Sequence, residues 1–434
     1  MAERNSPLIL GTEPIGKLLI QYSVPAIIAM TVTSLYNIID SIFIGHGVGA
    51  LAIAGLAITF PLMNLVVAFC TLVGIGGATI SSIFLGQKDK VRATEVVHNV
   101  LIMCIINAVC FGGLTFLFLD SILLFFGASH DTLPYARDFM QVILLGTPIT
   151  YVFIGLNNVM RATGYPRKAM FSSLLTVGCN IILAPIFIFS FDWGIRGAAL
   201  ATVVSQTVAM VWVLVHFANK KNFIHFDRRY SRLKVRVVAK IFSIGMSPFL
   251  MNVCACVVVI FINNALQHTG GDLAIGAYGI VNRTLMLFVM IVMGITQGMQ
   301  PIVGYNYGAK QYPRVTKVLK ITIYAATIVT TTGFLMGMFI PRLAVSIFTT
   351  HEELVRISAK GLRIVVMFFP IVGFQMVTSN FFQSIGMASK AIFLSVSRQV
   401  LILIPCLLIL PQFYGQLGVW ISMPISDLIA SLIA

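Results

Sequence analysis

The chain has 434 residues, of which 58% are hydrophobic and only 10% are charged. Soluble domains carry about 25% charged residues, so this composition excludes a soluble protein and indicates one that lies in a bilayer. The formal net charge of +15 would suit a nucleic-acid-binding protein. Most basic residues, however, fall in loops on one side of the predicted membrane spans, so we expect no nucleic-acid partner.

Long apolar runs, rather than short alternating segments, predict membrane-spanning helices. A helix needs about 20 apolar residues to cross a bilayer, and lipid offers no partner to a free backbone N–H or C=O, so only helices and closed barrels span it. The runs predict an all-α membrane protein with twelve transmembrane helices. The predicted spans lie near 18–45, 52–85, 93–118, 133–158, 168–190, 195–217, 239–266, 273–307, 316–341, 355–382, 391–411 and 416–434.

The loops between the predicted spans differ in charge. Most of the 29 Lys and Arg residues lie at the N-terminus or in loops after even-numbered spans. The loops after odd-numbered spans clearly contain only Arg196, Arg342 and Arg356 among the basic residues, and acidic residues collect there. Because basic loops stay on the cytoplasmic side, both termini are predicted to be cytoplasmic. The first apolar stretch is too long for the core of a cleavable signal peptide, so we expect none.

The first half of the chain is repeated in the second half. Pro25 aligns with Pro248, Gly86 with Gly308, and the pair Asn158 and Lys168 with Asn380 and Lys390. Each half holds an even number of spans, so the repeat is parallel, with its pseudo-twofold axis along the membrane normal. This predicts two six-helix lobes, 1–217 and 239–434, joined by a basic cytoplasmic linker, 218–238. Rocking of one lobe against the other would give alternating access.

Acidic residues inside the apolar spans are rare, since only Asp40 and Asp427 fall there. A charged side chain near mid-membrane is costly and usually faces a cavity, where it marks an ion or proton path. Desolvation favours the neutral, protonated form of a carboxylate, whereas surrounding oxygen atoms would allow it to bind Na⁺. Asp40 is therefore the predicted cation-coupling residue. The candidate polar neighbours from the fourth to sixth spans are Asn157, Asn158, Asn180 and Thr202.

The repeat provides an internal comparison for this cation site. Asn180 aligns with Ile402 and Thr202 with Met423, so the second half lacks these polar groups. This asymmetry predicts a cation site in the first half only. For each polar residue the alternative is a hydrogen bond between neighbouring helices.

Two further residues have both a functional and a structural interpretation. Pro25 interrupts the first predicted helix, because it lacks an N–H and its ring clashes with the preceding turn; it is either a switching hinge or a static kink. Asp427 is the candidate in the second lobe. It has Arg398 in the preceding span and Arg283 in the eighth, and the alternative to a substrate role is a buried ion pair that fixes the lobe.

Enzymatic motifs are missing from the sequence, which has no G-x-x-x-x-G-K-[ST] phosphate loop, no H-E-x-x-H and no G-x-S-x-G. We therefore expect no enzyme and no cofactor, and transport driven by an ion gradient or by a separate subunit. Two alternatives stay open. A lipid-linked oligosaccharide or lipid flippase would have a basic cavity, marked by Arg283 and Arg398. A membrane-embedded enzyme would need paired catalytic residues, and the spans offer none.

Over almost its whole length the chain resembles the multidrug and toxic compound extrusion (MATE) family. The likeness is to the prokaryotic branch with an acidic residue in the first helix. The resembling pieces are Pro25 followed by Tyr36-Asn37-Ile38-Ile39-Asp40-Ser41-Ile42-Phe43-Ile44-Gly45, the turn Gly86-Gln87-Lys88-Asp89, Asn157-Asn158 before Arg161-Ala162-x-Gly164, Asn180-Ile181-Ile182-Leu183, and Gly197-Ala198-Ala199-Leu200-Ala201-Thr202.

The resemblance implies a secondary exporter in a bacterial or archaeal cytoplasmic membrane, in which H⁺ or Na⁺ moving inward drives cationic, amphipathic drugs outward. It assigns the cation site to Asp40, Asn180 and Thr202. The family's fourth site residue, an Asp, is replaced here by Ala184. Losing a carboxylate weakens a Na⁺ site most, so H⁺ is the expected coupling ion. The expected partners are small amphipathic, drug-like substrates and membrane lipid, and the expected state is a monomer.

Overall fold

The computed structural model describes residues 7–230, 232–349 and 351–434, and these contain helices and no strands. Eleven helices in this part of the chain are long and apolar enough to cross a membrane, and one bent pair makes a twelfth span. The predicted all-α fold with twelve spans is therefore confirmed. In chain order the spans are α1 (Ile15–Gly47), α2 (Ala50–Gly86), α3 (Lys90–Leu117), α4 (Leu133–Leu145 with Thr147–Ala162), α5 (Pro166–Ser190), α6 (Gly194–Ala218), α7 (Val235–Gly271), α8 (Leu273–Gly308), α9 (Tyr312–Phe339), α10 (Glu352–Ser384), α11 (Ala388–Tyr414) and α12 (Gln416–Ile433). Shorter helices cover Ile9–Thr12, Leu119–Phe125 and Pro341–Ser346, with a 3₁₀ turn at Arg228–Tyr230.

Three breaks in the helices have local causes. The two parts of α4 meet at Gly146 with a bend of 56°, and Pro148 opens the second part at a position where a proline is well tolerated. In α5 the hydrogen bonding changes to a π-helix at Ile186, directly after Pro185, which has no N–H to donate. Gly271 separates α7 from α8 with φ 64°, a conformation that glycine adopts at no steric cost.

Contacts divide the described chain into two compact units. The first contains residues 7–13, Ile28–Phe249 and Gly304–Lys310, and the second contains Pro14–Ile27, Leu250–Val303 and Gln311–Ala434. These bounds differ from the predicted lobes at the ends of α1, α7 and α8. The predicted division into 1–217, 218–238 and 239–434 stays a prediction.

Glycines allow the ends of α1, α7 and α8 to make close backbone contacts within the unit to which each end belongs. In the first unit, a Cβ at Gly245 of α7 would lie 1.7 Å from the backbone oxygen of Leu72, and one at Gly86 would lie 1.9 Å from that of Tyr305. In the second unit, a Cβ at Gly298 would lie 2.6 Å from the backbone nitrogen of Ser23. Small residues permit such approaches between membrane helices, so larger side chains at these positions would separate the helices.

Each unit has its own apolar core. In the first unit the core joins the end of α1 to α2, α4, α5 and α6, with Ile44, Leu62, Met140 and Ala198 at its centre. In the second unit a core of α8, α10, α12 and the short helix Pro341–Ser346 centres on buried aliphatic side chains and one tryptophan: Val281, Val345, Leu362, Val366 and Trp420.

The segment between α6 and α7 is attached to α3. The Asp227 backbone N–H donates to Nε2 of His98 over 2.9 Å, and the Lys234 N–H donates to Oδ1 of Asn99 over 2.9 Å. The Lys234 ammonium also pairs with the Glu95 carboxylate. Between Asp227 and Lys234 the predicted linker therefore contacts α3 at both ends, within the first unit.

Candidate functional site

The candidate site starts on α1, where Tyr36 and Asp40 are four residues apart and so share one face of the helix. The side chain of Asp40 is 9% exposed, and its Oδ1 has no hydrogen-bond partner among the described residues. Asp40 therefore lies one helical turn from Tyr36. A buried polar atom without a partner is expensive, so the position points to a function rather than to stability.

Tyr36 joins α1 to α5 and α6 through one hydroxyl group. The Thr202 hydroxyl donates to the backbone oxygen of Ala198 over 3.2 Å, and Asn180 Nδ2 donates to Thr202 Oγ1 over 3.1 Å. The Tyr36 hydroxyl lies 3.0 Å from the same Thr202 oxygen. Either hydroxyl can be the donor in this contact, and Asn180 Nδ2 also lies 3.5 Å from the Tyr36 hydroxyl. One side chain from each of three helices therefore meets at Thr202.

A second polar contact lies one turn further along α6. The Thr150 hydroxyl of α4 donates to Oε1 of Gln206, and Gln206 follows Thr202 by four residues, on the same helix face. The polar face of α6 therefore contacts α1 and α5 at one level and α4 at the next. The repeat aligns Gln206 with Asp427, so both halves have a polar residue at this position of the repeat.

The structure brings together some of the predicted site residues but not all. Asn180 and Thr202 are hydrogen-bonded, and Asp40 is one turn from their partner Tyr36. Asn157 instead donates to the backbone oxygen of Ala169 over 3.0 Å and to Ser172 Oγ over 2.5 Å. These two bonds are those of the alternative interpretation, in which Asn157 links neighbouring helices, and its Oδ1 accepts a further bond from Arg161 of its own helix.

The distance along α5 explains why Asn157 does not join this group. Ser172 precedes Asn180 by eight residues, which is about 12 Å at 1.5 Å per residue. Asn158 donates to the backbone oxygen of Ile154 in its own helix over 2.9 Å. Within the described residues neither asparagine hydrogen-bonds to Tyr36, Asn180 or Thr202, and their supporting role in the cavity stays a prediction.

Sequence reasoning missed Tyr36 as a site residue. A tyrosine in an apolar span is easily interpreted as core or interface packing, since its ring is apolar and its hydroxyl finds a partner when buried. The available signal was the spacing, because Tyr36 stands four residues before the only acidic residue of its span. That spacing alone would have placed its hydroxyl on the face of Asp40.

Apolar packing fills the position at which the resemblance implies a second carboxylate. Ala184 is fully buried in the core of the first unit, together with Ile44, Ile188 and Ala198. The described residues also contain no group of three or more His, Cys, Asp or Glu that could hold a metal ion. The described polar side chains nearest to Asp40 in the hydrogen-bonded group, those of Tyr36, Asn180 and Thr202, are all neutral.

Restoring a carboxylate at this position should not restore a working Na⁺ site. We expect Ala184→Asp to destabilise the protein by about 1–3 kcal/mol, because even a neutral acid is costly to bury without a hydrogen bond. Thermal unfolding in detergent, with Na⁺ or choline as the cation, measures this. Ala184→Ser is the matched control, since its hydroxyl can bond to the preceding turn. An Asp variant that is as stable as the parent, or that Na⁺ selectively stabilises, would contradict this expectation.

The second unit holds a buried ion pair. Asp427 of α12 accepts contacts from Arg398 of α11 on one oxygen, over 2.8 Å from Nε and 2.7 Å from Nη2. Arg398 lies within a π-helical segment, Ser397–Leu403, and Oε1 of the neighbouring Gln399 is buried without a described partner. The structural interpretation of Asp427 predicts a buried ion pair of this kind. Arg283 is exposed and is not a member of the described pair.

Twelve helical spans in a duplicated chain, with a buried carboxylate in the first, define a multi-pass membrane transporter. The sequence model of the MatE family matches residues 25–186 and 244–408, once in each half. The chain therefore belongs to the MATE family of transporters.

Relatives and solved structures cover nearly the whole chain. The chain is 28% identical to "Multidrug export protein MepA" of Staphylococcus haemolyticus over 97% of this chain and 92% of that protein, and 28% identical to that of Staphylococcus aureus strain MSSA476 over 97% and 93%. A solved structure of the "MATE multidrug transporter DinF-BH", in complex with a ligand, is 35% identical, with TM-score 0.90 over 98% and 95% of the two chains. An outward-facing MATE transporter, 24% identical over 98% and 95%, has TM-score 0.93 and shows the fold alone.

Proposed function

We propose that the protein exports amphipathic, drug-like molecules across the cytoplasmic membrane, and that inward movement of H⁺ through Asp40 drives this export. The observation that carries the proposal is the buried Asp40 carboxylate, whose Oδ1 is without a described partner beside the polar group of Tyr36, Asn180 and Thr202. Relatives named as multidrug export proteins, and a solved relative named as a multidrug transporter, support the substrate class.

The ligands available at Asp40 favour H⁺ over Na⁺. A hard cation needs several oxygen ligands at short range, whereas a proton needs one oxygen. The Thr202 oxygen already accepts a hydrogen bond from Asn180 and is in hydrogen-bonding contact with the Tyr36 hydroxyl, and the fourth site residue that the resemblance implies, an Asp, is replaced by the buried Ala184. Asp40 alone therefore provides the charge, which suits protonation better than Na⁺ coordination.

Exchange requires that proton and substrate compete. Protonation would neutralise Asp40 and lower the affinity for a cationic substrate, and the linkage of the two binding events makes exchange obligatory. We propose that α1 bends near Pro25 during this cycle, because Pro25 leaves one backbone oxygen of the preceding turn without its donor. The boundary between the two compact units falls between Ile27 and Ile28 of the same helix, which supports a bend at this place.

The alternative of a lipid flippase receives less support from the side chains. Its basic cavity would need Arg283 and Arg398, and Arg398 is bound to Asp427.

The proposal for an exporter has three further parts. These are an orientation with both termini in the cytoplasm, a monomeric state, and alternating access between two lobes.

Efflux of a fluorescent cationic dye from proteoliposomes tests the proposal, with a pH gradient or a Na⁺ gradient imposed separately. We expect the pH gradient to drive export and a protonophore to stop it. Export driven by the Na⁺ gradient alone would show that the proposed proton coupling is wrong, but the assignment as an exporter would still stand. If neither gradient drives the dye, and protein-free liposomes behave in the same way, the exporter assignment fails.

A further inference from the structure

A cluster of basic side chains lies in the second unit, away from the candidate site. Arg356, Lys360 and Arg363 are four and three residues apart, so they share one face of α10. With Arg342 of the short helix Pro341–Ser346, they line a cleft of about 400 Å³ whose apolar lining is Pro341, Ala359 and Ile364. We call this set of seven residues the basic cleft.

The charges of the basic cleft are poorly neutralised by the protein. Its only described ion pair joins Arg356 to Glu353 over 3.8 Å, and both side chains are mostly exposed. Nε of Arg363 donates to the backbone oxygen of Met338 over 3.2 Å, which holds that guanidinium at the end of α9. For Arg342 and Lys360 no ion pair is present in the part of the chain that the structure describes. Cations held this close together favour an anionic ligand.

The first half of the chain shows that the fold does not need a basic cleft. At the repeat offset of Gly86 and Gly308, Arg342 aligns with Asp120 and Lys360 with Asp138. Asp120 pairs with Arg137, and Asp138 pairs with Arg196 over 2.7 Å. In the first half the charges at these two positions are therefore neutralised by salt bridges within the protein. The second half has the opposite charge at both positions and no described partner for either.

The surroundings of the basic cleft fit the edge of a bilayer. Apolar side chains at the end of α9 and on the neighbouring short helix are largely exposed, namely Phe339, Ile340, Leu343 and Ile347. Exposed apolar side chains next to basic ones occur where acyl chains give way to headgroups, and cations there attract anionic lipid.

We propose that the basic cleft binds the phosphate of an anionic phospholipid whose acyl chains lie against Phe339, Leu343 and Ile347. Arginine matches this ligand, because its planar guanidinium can donate two parallel hydrogen bonds to phosphate oxygens. Arg342 and Lys360 face the headgroup from two helices, and Arg356 and Arg363 extend the same face of α10. The proposal depends neither on the direction of transport nor on the coupling ion.

Lipid retention by the purified protein tests the proposal. Native mass spectrometry would compare dioleoylphosphatidylglycerol with zwitterionic dioleoylphosphatidylcholine, using the parent and the double variant Arg342→Gln/Lys360→Gln. Each cation near an anionic lipid changes affinity about fivefold. We therefore expect the double variant to bind phosphatidylglycerol roughly 25-fold more weakly, with little change for phosphatidylcholine.

The control variant is Lys317→Gln/Lys320→Gln, which removes two exposed cations from the other end of α9. An equal loss in this control would mean a general charge effect and would overturn the proposal. Displacement of the lipid by millimolar glycerol phosphate would also overturn it, because the cleft would then take a free phosphate. As a second readout, phosphatidylglycerol should raise the melting temperature of the parent and not that of the cleft variant. No selective stabilisation of the parent would count against the lipid.

Discussion

Asp40→Asn is expected to reduce dye export driven by a pH gradient to the level of protein-free liposomes. The asparagine keeps the size of the side chain but cannot bind and release a proton, so proton movement would no longer be linked to substrate release. We expect no neighbouring group to take over, because the described polar side chains beside it, Tyr36, Asn180 and Thr202, are neutral. The measurement is dye efflux from proteoliposomes with matched amounts of parent and variant.

Substrate binding at equilibrium adds a second readout for Asp40. Proton and cationic substrate compete in the proposed cycle, so the affinity of the parent for the dye should fall as pH falls, whereas that of Asp40→Asn should not change. Asp40→Glu, which keeps a carboxylate on the same face of α1, is the control and should retain pH-dependent binding. Export by Asp40→Asn at the parental rate, or a parental pH dependence of its dye affinity, would disprove the role assigned to Asp40.

Removing Arg398 should destabilise the second unit strongly. The side chain of Asp427 is only 6% exposed, and its partner Arg398 is 31% exposed. Breaking a buried pair by removing one partner leaves an uncompensated charge and costs about 3–5 kcal/mol. We expect Arg398→Gln to show a loss of this size in thermal unfolding. Asp427→Asn should cost less, because the remaining Arg398 reaches solvent more easily.

The double variant Arg398→Met/Asp427→Leu separates a structural pair from a transport residue. A well-packed apolar replacement of a buried pair is often neutral or stabilising, so stability should return to about the parental value. Dye export should return with it if the pair only fixes the second unit. Parental stability with no export would instead assign the pair a direct role in transport.

The spans could be predicted closely because hydropathy follows a strong physical constraint. The fifth span was expected at 168–190, and α5 covers Pro166–Ser190. The break in α4 was not predicted, since a run that is apolar on average hides a bend within it. The sequence Gly146-Thr147-Pro148 carried the signal, because a glycine followed by a proline at the start of a helix commonly marks a new segment.

The candidate site could be predicted in part. Asn180 and Thr202 meet as the resemblance implied, because both lie on long regular helices whose register is fixed by spacing. Asn157 has its partners on the first turns of α5, and the sequence could not show which level of that helix it faces. The sequence showed that Asp427 has basic residues in neighbouring spans, but it could not show that Arg398, rather than Arg283, binds it.

The attachment of the segment between α6 and α7 to α3 also affects biosynthesis. Its partners Glu95, His98 and Asn99 all precede it in the chain. Chains emerge from the ribosome N-terminal part first, and earlier parts fold before later ones are complete. All of these partners are therefore already present when the segment is synthesised, so its docking does not have to wait for the second unit.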